Sequence, residues 1–108
     1  MITIETLCVE VRGLARDDVE RWIERSWVRP HGGSGRYEFG DIDVARVRLI
    51  LELREELRVN EEALPVVLSL LDQLYEERRR LRRVRDLLDQ AGPEQRAALL
   101  RLIEDARE

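Results

Sequence analysis

The sequence predicts an all-α fold, a winged helix-turn-helix with a small β wing and a long C-terminal helix of coiled-coil type. Three observations predict it. Residues 61–90 repeat apolar side chains at helical spacing: Leu64, Val67, Leu68, Leu71, Leu74, Tyr75, Leu81, Val84 and Leu88. Two short amphipathic stretches near the N-terminus are joined by Gly13-Leu14, the spacing of a helix-turn-helix. A glycine-rich loop, His31-Gly32-Gly33-Ser34-Gly35, separates two extended segments and gives the wing. The domains expected are 1–60, the winged helix-turn-helix, and 61–108, the long helix with a short C-terminal helix for dimerisation and partner binding.

Taken in order, residues 4–11 read as a helix burying Leu7, Cys8 and Val11. Residues 16–26 read as a second, with Val19, Trp22 and Ile23 inward at i, i+3 and i+4. Val28-Arg29-Pro30 is expected to be extended, because the residue before Pro avoids the helical region. Arg36-Tyr37-Glu38-Phe39 alternates like a strand. The third helix is expected over 41–58, capped by Asp41 or Asp43. Its wide stripe of Val44, Val47, Ile50, Leu51, Leu53 and Leu57 makes it the centre of the core.

Asn60 is a plausible N-cap for the fourth helix, and Glu61 and Glu62 complement the dipole of its first turn. Pro65 removes a backbone donor and can bend or restart the helix. Ala91-Gly92-Pro93 ends it. At about 1.5 Å per residue the helix spans roughly 45 Å, too long for the core of a small domain, so its second half must protrude and pair. The seam would run Val67, Leu71, Leu74, Leu81 and Leu88, near heptad spacing, with Arg78 and Arg85 interrupting it. A fifth helix over 93–107 turns Leu99, Leu100, Leu102 and Ile103 inward and folds back on the fourth.

Charge narrows the function. The chain has 19 basic residues, all Arg, against 23 acids, a net charge of −4. That balance argues against nucleic acid as the main partner. A single Cys8 cannot form an internal disulfide and suits a cytoplasmic location. No apolar run of membrane length and no signal peptide is seen. His31 has no zinc-ligand companion. The loop HGGSGR lacks the Lys-Ser/Thr end of a phosphate-binding loop. No Ser has His and Asp company at motif spacing. The expectation is a non-enzyme without metal or cofactor.

Three stretches carry a resemblance. VERWIERSWVRP, RYEFGDIDVARVRLILELREEL and the long terminal helix resemble the second helix, the wing with third helix, and the dimerisation helix of the MerR-like helix-turn-helix superfamily. Within it, ERSWVRP, YEFGDIDVARVRLILELREEL and VNEEALPVVLSLLDQLY, followed by an Arg-rich coil, resemble the CbpM-like chaperone modulators, over about residues 3 to 85. The resemblance implies binding to the J domain of a DnaJ-like, CbpA-type co-chaperone, blocking its cooperation with DnaK, by a protein that is a homodimer. J domains as a class carry a basic second helix.

The candidate partner-binding residues follow. Asp17, Asp18, Glu20 and Glu24 would repel a DNA duplex, whose phosphates dominate nucleic-acid affinity. They are either a solvated helix start or an acidic face for a basic protein. Asp72 and Glu76, at i and i+4, share a face of the fourth helix, with Gln73 between them. Trp27 either packs at the base of the wing or anchors an interface. Arg78, Arg79, Arg80, Arg82, Arg83 and Arg85 form a basic run flanked by Glu76, Glu77, Asp86 and Asp89, which reads as a coiled-coil surface before a nucleic-acid site. The alternative to the modulator is a MerR-like DNA-binding transcriptional regulator; a third reading is a dimeric adaptor for another protein.

Overall fold

A computed structural model describes residues 1–106. The fold is all-α, with five helices among the described residues: α1 (Ile4–Glu10), α2 (Arg16–Glu24), α3 (Asp41–Glu55), α4 (Leu64–Gln90) and α5 (Pro93–Ala106). No helix among them is long and apolar enough to cross a membrane. The chain divides into two units, Met1–Leu68 and the residues from Ser69 onward.

In the first unit the local signals set the element ends. The Thr3 hydroxyl caps α1 by accepting from the Thr6 N–H at 3.2 Å. Val11 closes α1 one residue earlier than expected and is buried, whereas Cys8 is only half-buried. Gly13 turns the chain with φ +83°, a conformation that an L side chain rarely adopts. Helix α2 ends at Glu24, short of the expected Ser26, because Ser26 takes φ +61°. The Trp27 N–H then returns to the Trp22 carbonyl at 2.9 Å and Ser26 N–H to Ile23 at 3.0 Å, the paired bonds of a Schellman ending. That ending holds the two tryptophans one turn apart.

The strand expected over Arg36–Phe39 is reduced to isolated antiparallel bridges, His31 to Glu38 and Ile2 to Phe39. The arms are too short to extend the ladder across a loop of three glycines. Gly32 is needed there: it has φ +87°, and a Cβ would sit 2.4 Å from the Arg36 carbonyl oxygen. The second bridge ties the N-terminus to Phe39, which is buried.

Gly40 opens α3, and Asp43, not Asp41, satisfies it, accepting from the Gly40 N–H at 2.9 Å. The helix stops at Glu55, not Arg58: Arg58 takes φ +55°, and the Val59 N–H folds back to the Leu53 carbonyl at 2.9 Å. Leu57 is therefore carried off the core stripe and is 67% exposed. Val47, Ile50, Leu51 and Leu53 remain buried, with Val44 only half-buried.

Asn60 caps as expected, but it caps a turn ahead of α4. Its side chain accepts from the Ala63 N–H at 2.8 Å, and its carbonyl from Leu64 at 3.0 Å. Pro65 has no N–H to bond back to Glu61, so the helix begins at Leu64 and Glu61 lies outside it. Leu64 and Leu68 are buried in the first unit.

The second unit is the rest of α4 and α5. Gly92 closes one and starts the other. Its N–H donates to the Gln95 side chain at 3.2 Å, and its carbonyl accepts from Arg96 at 2.9 Å. Arg96 also donates to the Leu88 carbonyl at 3.1 Å. Only Leu99 of the α5 apolar set is half-buried. Leu100, Leu102 and Ile103 are exposed, which corrects the inward placement: a single helix and a tight turn leave nothing in this unit thick enough to cover them. Arg107, expected to end this helix, lies outside the described residues.

Candidate functional site

The α2 acids divide by environment. Asp18 faces the body, its side chain 16% exposed. It takes a two-pronged contact from Arg54 of α3, at 2.9 and 3.2 Å, and one from Arg21 at 3.0 Å. Burial pushes its carboxyl up, but the hydrogen bonds from Arg54 and Arg21 together outweigh burial and hold it below the usual range. Arg21 and Arg25 both grip Glu61, at 2.7 and 2.6 Å. Arg21 is the main cause that lowers the Glu61 carboxyl, against some desolvation, with Arg25 adding to it.

Two tryptophans are built into this network. Trp22 is fully buried, with the Arg54 guanidinium 5.5 Å from its ring centre. Arg25 lies 5.2 Å from the ring centre of Trp27. Trp27 is half-buried, and its carbonyl accepts from Arg46 at 2.9 Å. The indole N–H of Trp22 is buried without a hydrogen-bond partner. These contacts clamp α2, α3 and the Asn60 turn together. Asp18 thus serves the fold, and Arg21, Arg25, Arg54 and Glu61 are the residues that sequence reasoning missed as a group.

Asp17, Glu20 and Glu24 are exposed. Glu20 pairs with Arg16 at 3.0 Å, and Arg16 also holds Glu5 at 3.0 Å. Glu20 and Glu24 border a cleft of about 170 Å³ with Ile4, Arg16, Ser34 and Tyr37. A wider groove of about 710 Å³ between the Arg12-Gly13 turn and α3 mixes Arg12 and Arg48 with Glu52, Glu55 and Glu56. Neither aligns a nucleophile with a base. Among the described residues no group of three His, Cys, Asp or Glu side chains is placed to hold a metal. Burial raises the Cys8 thiol above its ordinary value, which disfavours the reactive thiolate.

In the second unit, Asp72, Gln73 and Glu76 are all exposed on α4. Gln73 donates to the Ser69 hydroxyl at 3.3 Å, and Glu76 accepts from Arg80 at 3.4 Å. Arg80 also binds Glu77 at 2.9 Å. Tyr75, about half exposed, stands one turn from Asp72, while Leu74, 46% exposed, falls on the other side of the helix. Of the expected seam, Leu81 is 68% exposed, Leu71 and Leu88 are half-buried, and Val67, in the first unit, is half-buried. Comparison with protein-family models, with curated proteins and with solved structures gives no match to this chain.

Proposed function

We propose that this chain is a protein-binding modulator that docks on the basic J domain of a DnaJ-like, CbpA-type co-chaperone in the cytoplasm and inhibits its cooperation with DnaK. In this reading the scaffold is a MerR-like winged helix-turn-helix, with α1 and α2 as the paired helices and residues 27–39 as the wing. The observation that carries it is the exposed acidic face of α4, with Asp72 and Glu76 one turn apart and the half-exposed Tyr75 beside them, at i+3 from Asp72. Carboxylates next to apolar side chains suit a basic protein helix better than a phosphate backbone.

The α2 surface supports the same choice against DNA. A reading helix needs cations or small polar groups toward phosphates, and α2 exposes Asp17, Glu20 and Glu24. Its arginines Arg16, Arg21 and Arg25 are held by acids of the same unit. The test is DnaK ATPase activity stimulated by the co-chaperone. Adding this chain lowers the stimulation, and excess DnaK relieves it, because both need one basic surface. Stimulation unchanged by the chain, or inhibition that DnaK does not relieve, contradicts the reading.

A further inference from the structure

The arginine run of α4 has no part in the reading above, and the acids around it neutralise less of it than their spacing suggests. Glu76 and Glu77 both turn to one arginine, Arg80, at 3.4 and 2.9 Å. Asp86 reaches only Arg85, at 3.8 Å. Among the described residues Arg78, Arg79, Arg82 and Arg83 make no ion pair, and all four are exposed. At about 100° per residue these four fall within one arc of roughly 140°. Tyr75, 51% exposed, lies at the middle of that arc, one turn ahead of Arg78 and Arg79.

Four unpaired guanidiniums around an exposed aromatic ring narrow the ligand. Like charges one turn apart repel, so a polyanion on this face relieves them. An anionic membrane would have to take the arginines together with the leucines of α4. Leu74, Leu81 and Leu88 centre about 140° around the helix from the arginine arc, so no single flat surface meets both. An acidic protein segment would pair with the arginines but has no use for the ring at their centre. A nucleic-acid duplex keeps its bases stacked inside and offers the ring no face. A single strand uses both features: guanidinium forks take phosphate oxygens, and an unstacked base lies on the ring. The face is short. Asp72 precedes it on the same side, and Asp86 and Asp89 follow it. From Tyr75 to Arg85 the helix rises about 15 Å, room for about three or four phosphates.

We infer that this face of α4 binds single-stranded nucleic acid, RNA and DNA alike. Tyr75 stacks on a base, and Arg78, Arg79, Arg82 and Arg83 hold the phosphates around it. Both kinds of strand present these two features, a phosphate chain and a base face. The paired helices α1 and α2 take no part, since α2 exposes Asp17, Glu20 and Glu24. The net charge of −4 keeps the binding weak and sensitive to salt, with a dissociation constant of about 1–100 µM at physiological salt. The inference stands or falls independently of the co-chaperone reading.

Fluorescence anisotropy of a labelled twelve-nucleotide oligouridylate, and of the matching oligodeoxythymidylate, titrated with the whole chain, tests it without any protein partner. Both strands bind, and log affinity falls against log salt with a slope of about −2 to −3, as three or four phosphate contacts require. Arg79→Gln and Arg82→Gln each weaken binding about threefold or more and flatten that slope by about 0.7. Tyr75→Ala costs about tenfold, whereas Tyr75→Phe keeps the affinity within about twofold. Arg12→Gln removes the same charge from the first unit and changes the affinity by less than about twofold, because salt screens distant charges. Circular dichroism matching the unmutated chain establishes that each variant is folded. No binding of either strand at about 100 µM protein and low salt overturns the inference. So do equal losses from Arg12→Gln and Arg82→Gln, a Tyr75→Ala variant that binds like the unmutated chain, displacement of the strand as readily by polyglutamate as by unlabelled strand, or a preference for vesicles of anionic phospholipid over the strand.

Discussion

Residues 1–68 and the described residues that follow are both helical, yet they are held in different ways. Every buried apolar residue, from Ile4 to Leu68, belongs to the first unit. So does the network of Asp18, Arg21, Arg54 and Glu61, which joins positions 36 to 40 residues apart. The described part of the second unit buries no residue, and the pairs that Arg80 makes with Glu76 and Glu77 lie within one helical turn. The contrast teaches where each kind of function can sit. A unit with its own core can carry exposed acids without losing its shape. A helix without one leaves Leu74 and Leu81 exposed.

The sharpest way to break this comparison is Trp22→Ala. It empties the largest fully buried side chain of the first unit and removes the ring under Arg54. The expected loss is about 3–5 kcal/mol, read as a lower midpoint in denaturant unfolding. Leu74→Ala, an equally drastic truncation in the second unit, should change the unfolding of a dilute monomer by no more than about 0.5 kcal/mol. Equal losses at the two positions would erase the distinction between the units.

Next in size is Arg54→Ala, which strips Asp18 of its two-pronged partner while the carboxylate stays mostly covered. Leaving a buried acceptor short of donors costs about 1–3 kcal/mol. Arg54→Lys should recover only part, since an ammonium cannot reproduce the fork. The pH dependence follows from the same carboxylates. Asp18 and Glu61 are lowered in the folded state, so their contribution is fully present above the unfolded carboxylate values. It is lost as the pH falls below about 4, through the depressed folded values. Acid titration of stability should therefore be steeper for the unmutated chain than for Arg54→Ala. Smaller again is Asn60→Ala, which removes the acceptor for the Ala63 N–H at the approach to α4 and should cost about 1 kcal/mol.

Much of the first unit was legible because its signals are local. Periodicity located α1, α2 and α3, the burial of Trp22 followed from its place beside Val19 and Ile23, and Asn60 and Pro65 marked the approach to α4. The endings were less legible. Ser26 and Arg58 adopt left-handed conformations that neither residue type advertises, and Arg58 is what takes Leu57 out of the core stripe. The ionic clamp was invisible for a different reason. Asp18 and Glu24 look alike in sequence, and only the long-range approach of Arg54 separates an acid that holds the fold from one that faces solvent. Glu61 looked like a helix-dipole residue until Pro65 moved the helix start past it. In α5 the apolar residues were read correctly as a stripe, but periodicity cannot tell a stripe that faces its own chain from one that faces outward.

The central claim is that the acidic face of α4 binds a basic J domain. Calorimetric titration of an isolated J domain into this protein, at low and high salt, tests it most directly. The unmutated chain should bind, and binding should weaken as salt rises because exposed charges are screened. Reversing the face with Asp72→Arg and Glu76→Arg should cost about tenfold or more in affinity, mainly through slower association, while reversal of the exposed α2 acids costs less. Binding that is indifferent to salt and to the Asp72 and Glu76 reversals, or no binding by the unmutated chain at all, would contradict the account.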